Sequence, residues 1–442
     1  MNSTFPLRPR KSHYRWTIVL TLSAVAFVLY VDRINIMIAA PHLDAEFNLS
    51  DQKLGHILSA FLFGYALGLV PGGWFADRLG PRKVLTFAAV SWAGLTVMIG
   101  LVPKNGFGLQ QNPGIALVGL RFLLGLCEAC AFPTFARALA NWIRPSERAM
   151  ASGLIHVGSN LGGVFTPVLI AFIIRRFGWR QSFLCSGAIT LAVALWWWSK
   201  ATDTPSDHPQ VSEQELGLIA SEKEEMQVER PDFAWYQRLF RSRNAYMLCL
   251  SEVFYGLSGF VFLTWFYVYF VKIRGAGDLY SAVLTSLTYL AGAAGALVGG
   301  ILCDFSVTKW GSPWGRRIVP LLAISASGVC CIIAPVIHNN TASAVIFSTA
   351  AGLQFVAAPA FWATVIDITR RGPGILGGFM NGSGNLGAAI GTVTFPRLIS
   401  IAGWGTALQL AGLAGLVSGL IWWLIDSSRQ IDTLPASISV SS

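Results

Sequence analysis

The sequence predicts an all-α membrane protein with twelve transmembrane helices, arranged as two six-helix bundles that are related by pseudo-symmetry. Of its 442 residues, 54% are hydrophobic and only 12% are charged, a composition too apolar for a soluble globular protein. Apolar stretches of about 20 residues, long enough to cross a hydrocarbon core of about 30 Å as a helix, recur along the whole chain. Short motifs of the first half also reappear in the second half.

Each apolar stretch predicts one membrane-spanning helix. We therefore expect a multi-pass protein of the lipid bilayer. The twelve spans cover residues 16–38, 54–76, 84–102, 115–137, 150–174, 181–199, 245–271, 281–303, 318–337, 342–364, 375–396 and 404–426.

The basic residues are concentrated in the loops on one side of the predicted membrane. The net charge is +10, but these residues do not form a basic domain dotted with aromatics, so we expect no nucleic-acid partner. By the positive-inside rule, the basic loops and both chain termini are cytoplasmic. The residues concerned are Arg8, Arg10, Lys11, Arg15, Arg78, Arg82, Lys83, Arg144, Arg148, Lys309, Arg316, Arg317, Arg370 and Arg371.

An acidic, water-exposed segment separates the sixth span from the seventh. It divides the chain into an N-terminal bundle at 1–199, a cytoplasmic linker at 200–243 and a C-terminal bundle at 244–442. Part of the linker, Ser212 to Val228, predicts a surface helix in which Ser212 is the N-cap and Glu215 completes a capping box.

The two halves share motifs at nearly the same spacing. Gly72 to Asp77 closes the second span, and Gly299 to Asp304 closes the eighth. Asn160-Leu161-Gly162 of the fifth span reappears as Asn385-Leu386-Gly387 in the eleventh, so the two pairs lie 227 and 225 positions apart. A repeat of this kind, with a binding site near the midplane between the halves, is typical of secondary transporters.

Three ionisable residues stand out deep inside apolar spans. Asp32 and Arg33 are in the first span and Glu128 is in the fourth. A charge at the bilayer centre costs at least about 2.5 to 3.5 kcal/mol, so these residues are the first candidates for a functional role. Arg121 precedes Glu128 by seven residues, about two helical turns, so both side chains can face one cavity. Arginine binds carboxylates through two parallel hydrogen bonds, which makes Arg33 and Arg121 candidate clamps for an organic anion.

The string from Pro71 to Lys83 resembles the signature loop between the second and third helices of the major facilitator superfamily. Its glycines allow close helix packing, and Asp77 is suited to a helix N-terminus of the other bundle and to a basic partner. The resemblance implies a conformational latch that breaks in each transport cycle. Its residues are Gly73, Asp77, Arg78, Gly80 and Arg82.

Within that superfamily the chain resembles the anion:cation symporter family, most closely the carriers of sugar acids. The resemblance implies proton-coupled symport of a small organic anion across the bacterial inner membrane, by a monomer with no cofactor. It places Tyr30, Arg33, Tyr65, Trp362 and Asn381 around the substrate and identifies Glu128 and Asp32 as protonation positions. The matching segments are Tyr30 to Arg33, Gly125 to Ala129 with Phe132-Pro133, Phe262 to Phe266 and Gly377 to Asn381.

The chain departs from the galactonate-type carriers where those proteins have polar side chains. Ser159, beside Asn160, replaces a glutamine of the fifth span, and Pro359 and Phe361 replace hydroxyl residues before Trp362. We therefore add Ser159 and Asn160 to the predicted substrate site. The loss of polar groups is compatible with a less hydroxylated or an aromatic acid.

Several residues have two interpretations at this level. Arg33 either binds substrate or forms a buried ion pair with Asp32, and Asp32 either takes a proton or only orients Arg33. Arg121 either faces the site or extends toward the outer interface. His156, in the fifth span, is either a proton relay or a structural residue. Cys127 and Cys130 have the spacing of half a metal site, but we interpret them as small residues at a helix interface and expect no metal.

Two other functions compete with proton-coupled symport. An organic-anion exchanger or exporter could use the same fold. An enzyme or a receptor would need a catalytic constellation or a large exposed domain, and the sequence has no nucleophile motif, phosphate loop or complete set of metal ligands.

Overall fold

The computed structural model describes residues 12–49, 51–109, 112–221, 231–260, 266, 269–270, 273–275 and 278–433, and the regular secondary structure of these residues is helical. The predicted Phe262–Phe266 motif therefore lies outside the described residues except for Phe266. The helices are α1 (Tyr14–Phe47), α2 (Asp51–Leu79), α3 (Pro81–Gly100), α4 (Pro113–Ala129), α5 (Ala131–Trp142), α6 (Arg148–Phe177), α7 (Trp179–Lys200), α8 (Glu213–Ser221), α9 (Phe233–Leu239), α10 (Arg243–Phe260), α11 (Asp278–Ile333), α12 (Asn340–Ile368) and α13 (Pro373–Ile421).

These helices form the predicted twelve-span membrane fold. Within the described residues, nine helical segments are long and apolar enough to cross a membrane. α11 contains the eighth and ninth spans, which meet at Gly311, and α13 contains the eleventh and twelfth, which meet at Gly403. Both glycines have positive φ (77° and 79°), a conformation that side chains with a Cβ rarely adopt.

The fourth span consists of two helices, α4 and α5, which are divided at Cys130. Pro133 explains the break, because its ring lacks an N–H donor and clashes with the carbonyl four residues earlier. Cys130 lies against Gly72 of α2, so it occupies a helix interface.

The two described ends of the linker dock on different halves. In the first part, Glu215 of α8 receives hydrogen bonds from Ser12 and from the backbone of Tyr14 and Arg15 at the start of α1. In the second part, buried Trp235 of α9 donates its indole N–H to Asp432 (2.9 Å).

Only one of the two hydrogen bonds of the predicted capping box is present. The Glu215 N–H donates to the Ser212 hydroxyl as predicted. The Glu215 carboxylate binds the start of α1 instead of returning to Ser212, whose N–H donates to Ser12. α8 is described as far as Ser221, and the predicted extension to Val228 lies outside the described residues.

The two halves meet at the end of the bundles where the linker lies, which we call the linker side. Here α2 contacts α13, and α6 contacts α11. A Cβ atom on Gly73 would lie 2.1 Å from the carbonyl oxygen of Gly374, and one on Gly300 would lie 2.8 Å from that of Ala149. Glycine is required at these contacts because a side chain would separate the helices, and the molecule is therefore closed on the linker side.

Candidate functional site

An ion pair between α1 and α4 lies at the centre of the N-terminal half. The Nε atom of Arg33 is 2.8 Å from Oε2 of Glu128, whose side chain is 0% exposed. The guanidinium of Arg33 also lies 4.4 Å above the ring of Tyr65 and 5.6 Å from that of Tyr30. Glu128, and not the neighbouring Asp32, is thus the carboxylate partner of Arg33, and the proposed Asp32–Arg33 ion pair is wrong.

Arg121 lies next to this ion pair, and no carboxylate of the described residues forms an ion pair with it. Its guanidinium is 4.5 Å from the centre of the Phe61 ring, and the residue is only 3% exposed. The same ring lies 5.4 Å from the guanidinium of Arg33, so Phe61 lies between two cations. Among the described residues, Arg121 has no hydrogen bond or ion pair. Because the residue is only 3% exposed, it is buried inside the bundle and does not extend to the outer interface.

Asp32 faces α7. The Thr190 hydroxyl donates a 2.8 Å hydrogen bond to Oδ2 of Asp32, and Oδ1 is buried with no hydrogen-bond partner. One turn further along α1, Asn35 binds the hydroxyls of Ser182 and Ser186. These residues form a buried polar seam between α1 and α7, and Asp32 lies close enough to Glu128 and Arg121 to interact with their charges.

Tyr65 and Asn381 connect the halves beside the ion pair. The Asn381 amide donates to the Tyr65 hydroxyl at 3.3 Å. Because the Tyr65 ring also lies against Arg33, this hydrogen bond links the C-terminal half to the charged cluster.

The remaining predicted substrate residues occupy other positions. Trp362 stacks on Phe132 (5.6 Å between ring centres), and His156 stacks on the same Phe132 ring. Ser159 and Asn160 donate to carbonyls one turn earlier on their own helix, α6. Within the part of the chain that the structure describes, none of these four side chains forms a hydrogen bond, ion pair or ring contact with Arg33 or Glu128, and Nε2 of His156 is buried without a hydrogen-bond partner.

Asp77 joins the halves at the linker side. Its carboxylate accepts the backbone N–H groups of Gly374 (3.1 Å) and Ile375 (2.8 Å) at the start of α13. Negative charge is favourable at a helix N-terminus, where backbone N–H groups have no intrahelical partner. Arg137 lies 3.8 Å from Asp77 and donates to the carbonyl of Arg370.

Asp304 makes the corresponding contact from the other half. It accepts the N–H groups of Ala149 (3.2 Å) and Met150 (2.7 Å) at the start of α6. The repeated motif of the sequence thus supplies two carboxylates, each of which binds a helix N-terminus of the opposite half. We call these two contacts the Asp77 clasp and the Asp304 clasp.

A buried ionic network reinforces the Asp304 clasp. Arg316 lies 2.8 Å from both Asp304 and Asp367 and donates to the carbonyl of Pro145. Arg148 of the N-terminal half forms an ion pair with the same Asp367. The sequence assigned Arg148 and Arg316 only to the positive-inside pattern, whereas in the structure both are buried.

The other predicted latch residues contact the N-terminal half and the start of the linker. Arg78 is exposed and stacks on Trp74 at 4.6 Å. Arg82 binds the Trp198 carbonyl and, through its N–H, the carboxylate of Asp203. Gly80 has a positive φ of 89° and also abuts Asp203, which fixes the turn between α2 and α3.

Sequence reasoning missed Phe61, Arg137, Asp367 and Glu252. Phe61 carries no distinctive local signal, and Arg137 is only the last residue of the predicted fourth span. Glu252 does, because it is an ionisable residue inside the predicted seventh span and meets the criterion applied to Asp32 and Glu128.

Two helical bundles that close at one end through mirrored contacts, with a buried ion pair inside one of them, have the architecture of a secondary transporter. The chain belongs to the Major Facilitator Superfamily, whose family model matches residues 22–372. Its relatives agree with the predicted anion:cation symporter family.

Curated relatives share almost the whole chain. A probable sulfoacetate transporter of Cupriavidus necator is 32% identical over 393 residues, which are 88% of each protein. A probable galactarate/D-glucarate transporter of Bacillus subtilis is 29% identical over 432 residues, which are 94% of this chain and 92% of that one.

Solved structures share the fold. The proton:xylose symporter XylE matches with a TM-score of 0.77 at 16% identity, over 95% of this chain and 98% of its own. The transporter FucP in the outward conformation matches with a TM-score of 0.69 at 17% identity, over 93% and 99% of the two chains.

Proposed function

We propose that this protein is a proton-coupled symporter that imports a small organic anion across the bacterial inner membrane by alternating access. The linker side, with both termini, is cytoplasmic in this proposal. The observation that carries it is the buried Arg33–Glu128 ion pair next to Arg121, which has no carboxylate partner among the described residues.

Proton binding at Glu128 would change the charge of the site. While Glu128 is ionised it neutralises Arg33, and only Arg121 is available to an anion. Protonation of Glu128 removes its charge and releases Arg33, so that two guanidiniums face the substrate. Each can form a bidentate pair with an acidic group, because the fork of an arginine matches the two oxygens of a carboxylate.

Two guanidiniums fit an anion with two acidic groups better than one with a single group. Sulfoacetate, galactarate and glucarate, which appear in the names of relatives, all carry two such groups. We therefore propose a short dianion, a dicarboxylate or a sulfonated carboxylate, as the substrate class.

The other predicted residues complete the proposed site and its gate. Tyr30, Tyr65 and Asn381 flank the cations, while Ser159, Asn160 and Trp362 lie on helices that surround the space between the halves. Asp32 is a second candidate for proton binding because one of its oxygens is buried without a partner. The Asp77 and Asp304 clasps close the cytoplasmic side, and both must break before substrate leaves the protein.

The test is uptake of labelled sulfoacetate or galactarate into proteoliposomes with an imposed pH gradient. We expect accumulation by the native protein, with stronger competition from dianions than from the monoanion galactonate. Glu128→Gln should abolish accumulation driven by the pH gradient while exchange of substrate across the membrane persists, because the variant resembles a permanently protonated site. Glu213→Gln, which alters an exposed carboxylate of the linker, is the control.

Two results would contradict this proposal. Accumulation by Glu128→Gln that equals that of the native protein would remove Glu128 from the coupling mechanism. Substrate exchange by the native protein with no response to the pH gradient would favour an anion exchanger or exporter instead.

A further inference from the structure

We propose that Glu252 in the C-terminal half is a second proton-binding site and must be protonated before the anion binds. This inference rests on the proposed transport of an anion. It adds a proton to each cycle and places that proton in the half of the molecule opposite Glu128.

Glu252 lies where α10 packs tightly against α13. A Cβ atom on Gly256 would lie 2.0 Å from the carbonyl oxygen of Gly384, so the two backbones are in direct contact. The carboxyl group of Glu252 covers the same Gly384, where a Cβ would approach its Oε1 to 2.9 Å. Gly384 lies less than one helical turn after Asn381, the residue that binds Tyr65 across the halves.

Tyr255 shows which way this face of α10 points. It lies three residues after Glu252, on the same side of the helix. Its hydroxyl donates to the carbonyl of Gln354, and its ring lies 5.2 Å from that of Phe361, both on α12. Glu252 therefore lies on the face of α10 that is shared by α12 and α13, and its side chain is partly exposed there.

Among the described residues, Glu252 has no partner that would stabilise a negative charge. Its Oε2 atom is buried with no hydrogen bond, and within the described residues it forms no ion pair. The titratable groups near it are Cys249 and Tyr255 on its own helix, and the facing positions of α13 and α12 are Ser383, Gly384 and Gln354. None of these is a cation, whereas Glu128 has Arg33.

An unpaired carboxylate in a low-dielectric interior is so costly that the group binds a proton instead. The residue is partly exposed, so a proton can reach the carboxyl group. An ionised Glu252 would also repel an organic anion held by Arg33 and Arg121. Proton binding at Glu252 and anion binding must therefore favour each other, and such linkage is reciprocal.

The test measures the affinity of the purified, full-length protein for sulfoacetate or galactarate as a function of pH, for example by calorimetry. The variants are Glu128→Gln, Glu252→Gln and the double variant, with Glu213→Gln as control. If each carboxyl contributes one linked proton, the slope of log Kd against pH is about 2 in the native protein, about 1 in each single variant and near 0 in the double variant. Glu252→Asp keeps a carboxyl group and should retain the native slope.

The outcomes separate this inference from the function on which it rests. Absence of any pH dependence in the native protein would contradict proton-coupled binding as a whole. A native slope in Glu252→Gln, or complete loss of pH dependence in Glu128→Gln alone, would overturn the role of Glu252 and leave the transport function intact. If Glu252→Gln does not fold but Glu252→Asp does, the slope of Glu128→Gln decides. A halved slope in Glu128→Gln would support two proton sites, and a slope equal to the native one would count against them.

Discussion

Replacement of Asp304 by asparagine is expected to open the linker side of the protein. Asp304 accepts two N–H groups at the start of α6 and forms an ion pair with Arg316 (2.8 Å). Asparagine keeps one acceptor oxygen but loses the charge and the second acceptor. Arg316 retains Asp367, so the main loss is one charge-assisted hydrogen bond to the other half together with the favourable interaction at the helix N-terminus.

These contacts give the expected change in the free energy of the closed state relative to the open state. A hydrogen bond to a charged group contributes about 1.5 to 3 kcal/mol, and a negative charge at a helix N-terminus adds about 0.3 to 1 kcal/mol. The variant also avoids the cost of keeping a charge buried, which offsets part of the loss. A net change of about 2 kcal/mol shifts the equilibrium toward the open form about 30-fold.

The assay is maleimide labelling of a single reporter cysteine in purified protein. Ala149→Cys, introduced after replacement of the seven native cysteines, places the reporter at a fully buried position within the Asp304 clasp. Its labelling rate should rise about 30-fold in Asp304→Asn, in proportion to the open population. Asp44→Asn, at an exposed carboxylate near the opposite end of α1, is the matched control and should leave the rate unchanged.

An unchanged labelling rate in a well-folded Asp304→Asn variant would refute this reasoning. Such a result would mean that the Asp304 clasp does not contribute to the closed state. The same rate increase in Asp44→Asn would instead show that any loss of negative charge loosens the protein.

Two further predictions concern the closed interface and the linker. Gly73→Ala should destabilise closure by about 1 to 3 kcal/mol because its Cβ would lie 2.1 Å from a backbone oxygen; reporter labelling should rise in this variant but not in Gly94→Ala, where a Cβ has nothing within 4 Å. Burial acts to raise the pKa of Glu215, but hydrogen bonds from Ser12 and from the backbone of Arg15 and Tyr14 outweigh it and hold that pKa below its usual value. The stabilisation from Glu215 is therefore complete above the unfolded-state pKa of about 4.3 and is lost as the pH falls through the lower pKa of the folded state. Thermal unfolding should show Glu215→Gln to be less stable by about 1 to 3 kcal/mol at neutral pH, with the difference vanishing in acid; a difference that persists in acid would contradict the assignment.

The fold was predictable because its signals are local. A membrane span is recorded in some 20 consecutive side chains, and the duplication is recorded in two motifs whose repeats keep nearly the same spacing. The sequence predicted an unbroken fourth span, although Pro133 gives a physical reason for the break. The predicted end of the linker helix at Val228 lies outside the described residues. The capping box was only half correct because Glu215 found donors in α1, some 200 residues away, which no local pattern encodes.

For the charged residues too, the sequence shows where they lie along the chain but not which residues they contact. Their presence inside apolar spans identified Asp32, Arg33 and Glu128 as candidates, and applying that criterion to the seventh span would also have found Glu252. Their partners could not be derived in this way. Two consecutive residues on a helix point about 100° apart, so Asp32 and Arg33 face different neighbours although they are adjacent in sequence.

By itself, the sequence determined the number of spans, the two halves, the repeated Asp77 and Asp304 motifs and the residues that carry charge into the membrane. It could do so because composition, periodicity and motif spacing are properties of the chain alone. Only the tertiary structure decided that Glu128 pairs with Arg33, that Arg121 has no ion pair within the described residues, and that each clasp carboxylate binds a helix N-terminus in the opposite half. These are contacts between residues distant in sequence, and they exist only once the two bundles have packed together.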